Sequence, residues 1–250
     1  MNTAPVYIVS FANGSCGSFV SAIIERFCSP WITNPILPGK FNSAHRMMVK
    51  PNYRSTRKQY NGKLNAKEYF AGMERIMAWH PTFIETHFFS PDDMFEKFPE
   101  AKILAISYST EDIEEIAINS FFKFIVGEGR EPLPVRAWQY LQQSAFFIAS
   151  SVTVEDIQSE PEKYLNICTK IRQGDIILSG FHLIEDNSKF KDKVTFLPYS
   201  TIINKPDEAL ETLSKFTEKP ITDYIRTEYS LYIERQKDFI QQAREMIGGR

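Results

Sequence analysis

A chain of 250 residues is long enough for one substantial α/β domain. With a net charge of −2, 43% hydrophobic and 24% charged residues, it has the composition of an ordinary globule, which excludes a global argument for nucleic-acid or membrane binding. No apolar run approaches the length of a membrane-spanning segment, and the N-terminal MNTAPVYIVSF lacks the charged region and cleavage pattern of a signal peptide. The three cysteines, Cys16, Cys28 and Cys168, are odd in number and unclustered. They predict a reducing cytoplasm and no metal site.

Val6 to Phe11 is a short apolar run rich in β-branched and aromatic residues, which predicts a buried strand. Asn13 to Ser18 (NGSCGS) is small and polar, with two glycines. From Phe19 the pattern changes to helical spacing, with Phe19, Val20, Ile23, Ile24 and Phe27 on one face. A strand, a glycine-bearing turn and an apolar-faced helix present backbone N–H groups to a phosphate, and the helix N-terminus adds its positive end. An ordinary tight turn has the same composition, and the Lys of the usual phosphate-loop motif is absent. A thiolate at Cys16 would be favoured in such a loop, although small residues are what the turn itself needs.

Between Glu25 and Glu68 the chain has no Asp or Glu. The same stretch carries Arg26, Lys40, Arg46, Lys50, Arg54, Arg57, Lys58, Lys63 and Lys67, broken by Pro30, Pro35, Pro38 and Pro51. It predicts a basic, irregular excursion over about residues 29–65 that either attracts an acidic ligand or is a solvated face.

Ala66 to Trp79 has helical apolar spacing, and Thr82 to His87 (TFIETH) predicts a strand. Ser90-Pro91-Asp92-Asp93 is a helix start with a capping Ser, a Pro at the first position and early acids. Lys102 to Ser107 (KILAIS) predicts a second buried strand, followed by a helix capped by Ser109 and Thr110 with Asp112 completing a capping box. Val135 to Ser150 is helical, Thr153 to Asp156 caps a further helix, and Pro161 allows a restart. Asp175 to Leu178 predicts a short strand and Val194 to Leu197 another. Pro206 opens a helix with Ala209, Leu210, Leu213 and Phe216 inward, and Thr222 to Ile247 is a long terminal helix. Alternation of strands and helices predicts one α/β domain, a three-layer α/β/α sandwich with a mostly parallel central sheet.

The landmarks come in an order that resembles a known family. They are the Ser10 to Ser18 turn, Glu85-Thr86-His87 at a strand end, and ILAISYSTED…NSFF running from strand into capped helix. They are followed by Phe196-Leu197-Pro198-Tyr199, then Ile202-Ile203-Asn204-Lys205-Pro206 and a helix. This order resembles the P-loop sulfotransferases that use 3′-phosphoadenosine 5′-phosphosulfate (PAPS), over roughly residues 5–220. The resemblance implies a nucleotide-binding fold, PAPS as co-substrate without a metal, and sulfuryl transfer to a hydroxyl or amine on a small-molecule or glycan acceptor. It implies cofactor binding by Gly14, Ser15, Cys16, Gly17 and Ser18 on the 5′ side, by Ser109 and Ser120 on the 3′-phosphate, and by Tyr199 near the adenine. It implies a Thr-His pair supplying the catalytic base, matched here by Thr86-His87; His45 is the reserve base, an acceptor-site residue or an ordinary loop histidine.

Neutral His suits the removal of an acceptor proton near pH 7, and the C-terminal end of a strand is where α/β sheets bind ligands. The chain departs from the family pattern at several places, among them the last thirty residues, which hold no match for the Arg-Lys-Gly loop of many members. The phosphate-loop Lys is missing, Glu85 stands where Lys is frequent, and Tyr108 falls where the 3′-phosphate Arg would stand. Two readings therefore stay open: a divergent sulfotransferase, or a catalytically inactive binding or structural protein on the same fold. A metabolite kinase fits less well, since neither the Lys-Ser/Thr pair nor an obvious Mg²⁺-binding Asp is present.

Overall fold

The computed structural model describes residues 5–12, 14–29, 36, 46–48, 81–125, 159–184 and 187–248. Strand β1 (Val6–Ser10) lies at the centre of a five-stranded sheet. It pairs in parallel with β3 (Thr82–Thr86) on one side and β4 (Lys102–Ser107) on the other. Outside these lie β2 (Arg46–Met48), parallel to β3, and β5 (Val194–Pro198), parallel to β4. Every strand therefore ends on the same edge.

The apolar runs are unbroken because both faces of a parallel sheet are covered. Tyr7, Val9, Phe83, Leu104 and Ile106 point to one face, where they meet helix α1 (Gly17–Cys28). Val6, Ile8, Ile84, Ile103 and Ala105 point to the other, where they meet Phe89, Phe181 and Phe190. Helix α2 (Pro91–Lys97) packs on this second face through Met94 and Phe95. The three-layer α/β/α arrangement expected from the element order is the arrangement observed.

The next helix, α3 (Asp112–Ile125), follows β4, and α4 (Pro161–Leu178) comes later. After two 3₁₀ turns (Phe181–Ile184 and Asn187–Phe190) and β5, the chain makes α5 (Tyr199–Asn204), α6 (Pro206–Thr217) and α7 (Asp223–Gly248). The α6 positions picked by spacing, Ala209, Leu210, Leu213 and Phe216, are all buried against α1 and the sheet.

Two expectations are corrected. Residues 175–178 are not a strand but the last turn of α4. A short apolar run cannot be told from helix by periodicity alone. Here Ile176 is 6% exposed and its neighbour Ile177 60%, so only one of the pair faces the core. The basic excursion is not wholly irregular, since Arg46–Met48 forms the edge strand β2, in register with Phe83, Ile84 and Glu85. The rest of that excursion, His45, His80, and the helices expected over 66–79 and 135–150 lie outside the described residues.

Two helix starts also differ in detail. Ser90 opens α2, but its hydroxyl donates to Asp93 Oδ2 at 2.6 Å instead of accepting a backbone N–H. At α3 the reciprocal half of the capping box is formed, with Ser109 N–H donating to Asp112 Oδ2 at 2.7 Å. Among the described residues no helix is long and apolar enough to cross a membrane.

Candidate functional site

The loop between β1 and α1 is built by its own small residues. Phe11 N–H extends the β1–β3 ladder by donating to Thr86 O at 2.9 Å, and Ser10 Oγ donates to Phe88 O. The chain then reverses. Ala12 O accepts both the N–H of Ser15, at 3.1 Å, and its hydroxyl, at 2.7 Å. Ser15 is fully buried, so both of its donors serve the turn.

Gly14, at φ 92°, occupies a conformation that glycine adopts without penalty. Cys16 occupies the left-handed region as well, at φ 61°, which costs a residue with a Cβ about 1–2 kcal/mol. That conformation sets Cys16 as the cap of α1, with its carbonyl accepting from Phe19 and Val20 N–H at 3.0 Å each. The N–H groups of Gly17 and Ser18 meet no acceptor among the described residues. They are the unsatisfied donors that open every helix. The first turn of α1 contains no acid to neutralise them.

Gly17 is required by packing. A Cβ there would fall 1.9 Å from Phe11 Cγ, inside the aromatic ring. The Phe11 ring lies flat against the start of α1 and is 3% exposed. It also packs edge-to-face with His87, with ring centroids 4.7 Å apart and planes at 86°.

His87 follows the last residue of β3 and is half-buried. Its Nδ1 lies 3.1 Å from Phe11 O, and a carbonyl oxygen can only accept. In the neutral ring this assigns the proton to Nδ1 and leaves Nε2 as the basic nitrogen. One residue, Phe11, thus holds the imidazole by its carbonyl and by its ring.

Two further side chains meet the loop. Asn119, on α3 and 6% exposed, donates from Nδ2 to Gly14 O at 2.5 Å. Its sequence signal is a single amide one turn after Glu115, which carries no direction by itself. Ser18 Oγ donates to Glu85 Oε2 at 3.3 Å, and Glu85 is fully buried on β3. Alternation along β3 turns Glu85, like Phe83, toward α1. This places a carboxylate beside a loop suited to an anion.

The fold brings together Gly14, Ser15, Cys16, Gly17, Ser18 and, through Phe11, His87. The thiol of Cys16 turns inward, bonded to Tyr232 and packed among Tyr199 and Tyr229, so only its backbone belongs to the loop. Ser109 is not turned to the loop, since its N–H and its hydroxyl both donate to Asp112 Oδ2, at 2.7 and 3.2 Å. Ser120 lies in α3 next to Asn119, with its side chain outside the described set.

Tyr199 is 1% exposed, and its hydroxyl donates to Glu115 Oε1 at 2.9 Å, which makes it a core residue. Burial pushes the Tyr199 hydroxyl pKa well above the ordinary tyrosine range, and it does the same to Tyr229 and Tyr232. No group of three or more His, Cys, Asp or Glu suited to a metal occurs among the described residues.

No family model matches this chain, and no curated protein sequence matches it. Among solved structures it is similar to mouse sulfotransferase SULT7A1 complexed with PAP, at 13% identity and a TM-score of 0.46. That match covers 94% of this chain, which spans 65% of the length of the mouse protein. It is also similar to retinol dehydratase in complex with androsterone and the inactive cofactor PAP, at 12% identity and a TM-score of 0.43, covering 96% of this chain and 69% of that one. A retinol dehydratase complex with retinol and PAP matches at 10% identity and a TM-score of 0.38, covering 94% of this chain and 65% of the other.

Proposed function

We propose that this chain is a sulfuryl transferase that takes a nucleoside 5′-phosphosulfate of the PAPS type and delivers the sulfuryl group to a hydroxyl or amine acceptor. The observation that carries this reading is the His87–Phe11 contact. Nδ1 is committed to a carbonyl beside the anion loop, so Nε2 is the basic nitrogen.

The nucleotide donor supplies the sulfuryl group. The acceptor oxygen or nitrogen forms a bond to sulfur as the bond from sulfur to the phosphate oxygen breaks, and the acceptor proton passes to His87 Nε2. The N–H groups of Gly17 and Ser18 hold the phosphate through which the donor leaves. Ser18 Oγ adds a donor once it turns from Glu85. The residues fit the phosphate half of such a donor.

The basic run between Arg26 and Lys67 favours an acidic acceptor, such as a glycan or small acidic molecule. Cys16 and Cys28 are in no disulfide, which suits a reducing cytoplasm.

A second reading is a non-catalytic binding protein on this fold. It is favoured by Glu85, a carboxylate beside Ser18, and by the absence of any Lys or Arg from residues 1–25. Calorimetric titration with 3′-phosphoadenosine 5′-phosphate (PAP), followed by transfer of labelled sulfate from PAPS, separates the two. Binding with transfer that disappears in His87→Ala supports the enzyme. Binding without transfer removes the enzyme and leaves a nucleotide-binding protein, whereas no binding at millimolar ligand removes the PAPS reading and leaves a non-catalytic protein that does not take this nucleotide.

A further inference from the structure

The peptide unit between Gly14 and Ser15 is held at both ends. Its N–H, on Ser15, donates to Ala12 O at 3.1 Å, and its carbonyl, on Gly14, accepts from Asn119 Nδ2 at 2.5 Å. A trans peptide points its N–H and C=O in opposite directions, so the two bonds together fix the plane. The first bond is made inside the turn. The second comes from α3, 105 positions along the chain.

The local sequence does not restrain this plane by itself. Gly14, at φ 92°, has no Cβ to limit its backbone, so the peptide that follows it turns easily. Two residues later Cys16, at φ 61°, holds a conformation that is costly for a residue with a Cβ and caps α1. A rotation at Gly14 is passed through Ser15 and Cys16 to the first N–H groups of that helix.

Asn119 supplies the missing restraint from a fixed position. It is 6% exposed, within α3. One turn earlier on the same helix, Glu115 accepts from Tyr199 Oη at 2.9 Å and from the guanidinium of Arg244 at 3.3 Å. These bonds tie α3 to the start of α5 and to α7, so the amide joins the loop to an element anchored elsewhere.

We infer that Asn119 is a positioning residue for the anion loop: by holding the Gly14 carbonyl it fixes the peptide planes that aim the N–H groups of the loop at the donor phosphate. This rests on the PAPS-type reading given above. The effect is one of preorganisation, in which the order of the loop is set before the ligand arrives.

The test is calorimetric titration of the full chain with PAP, with melting temperatures taken alongside. Asn119→Leu fills a similar space without a donor, and PAP binds about tenfold more weakly. Asn119→Asp separates the donor from the packing. Protonated, the new carboxyl donates to Gly14 O as the amide did, and ionised it repels that carbonyl. Burial and the Glu115 carboxylate one turn away both disfavour the ionised form. At about pH 5 the Asn119→Asp chain therefore binds PAP several-fold more tightly than Asn119→Leu, and the advantage shrinks as the pH rises through the pKa of the new group.

Asn119→Leu binding within about threefold of the parent overturns the inference and leaves the PAPS reading intact. So does Asn119→Asp binding no better than Asn119→Leu at about pH 5, because packing and not the donor would then be what matters. If the parent chain does not bind PAP at millimolar concentration, the PAPS reading fails and the inference falls with it.

Discussion

The imidazole Nδ1 of His87 lies 3.1 Å from the carbonyl oxygen of Phe11, 76 residues earlier in the chain. The two residues sit at the ends of adjacent parallel strands, and Phe11 N–H already bonds to Thr86 O. The register of β1 against β3 therefore places this histidine beside the anion loop and selects its tautomer. If Nε2 is the base, His87→Ala lowers sulfuryl transfer by about 10²- to 10⁴-fold. The PAP dissociation constant changes by less than about threefold, because the ring holds no phosphate. Transfer at parental rate in the variant would remove His87 from the mechanism.

Gly17→Ala introduces a Cβ 1.9 Å from Phe11 Cγ. The ring is buried between α1 and His87 and has little room to retreat. The substitution costs about 1–3 kcal/mol in denaturant unfolding and weakens PAP binding by moving the loop. Adding Phe11→Leu relieves the overlap, so the double variant is less destabilised than the sum of the single variants. Strict additivity would count against this packing.

The two loop serines separate structure from binding. Ser15 Oγ is buried and donates to Ala12 O, so Ser15→Ala lowers stability by about 1 kcal/mol with little effect on anion affinity. Ser18→Ala does the reverse. It leaves the melting temperature near the parental value and weakens PAP, about three- to thirtyfold. Melting curves and calorimetry on both variants check the pairing, and reversed results would exchange the two roles.

Glu85 places a carboxylate 3.3 Å from Ser18 Oγ. Glu85→Gln keeps the shape and removes the charge. Anion affinity rises about tenfold at low salt, with the gain shrinking as salt increases. Affinity that is unchanged or weaker would mean that Glu85 aids binding.

Burial raises the pKa of Tyr199, Tyr229 and Tyr232 above the ordinary tyrosine value of 10.0. The folded chain then keeps protons that the unfolded chain releases. Their contribution to stability is complete below about pH 10 and is lost as pH rises above it. The slope steepens by up to about 1.4 kcal/mol per pH unit for each tyrosine whose folded form stays protonated. Urea titrations between pH 8 and 11 should show the midpoint falling above about pH 10. A flat midpoint would place these hydroxyls in contact with solvent.

Most of the frame is readable from local pattern. The runs at residues 6–9 and 103–106 are continuous and apolar because those strands are covered on both faces, while Thr82–Thr86 and Val194–Pro198 are marked by β-branched and aromatic residues. The glycine-bearing turn before α1 is legible for the same local reason, since Gly14 takes a positive φ and Gly17 has no room for a Cβ. Spacing also selects the buried face of α6, because an amphipathic helix repeats its core residues every three to four positions.

Direction and partnership are not local properties. Ser15 and Ser18 look alike in sequence, yet one closes the turn and the other meets Glu85. Tyr199 stands at a strand end, as a ligand-facing residue would, but the start of α5 turns it under α3 to Glu115. Asn119 reaches Gly14 across 105 positions, and nothing near Asn119 names that partner. Periodicity encodes which residues leave water, because that choice is made within one turn or one pleat. Which polar groups then meet depends on strand order and register, and those are decided only when β1 settles between β3 and β4.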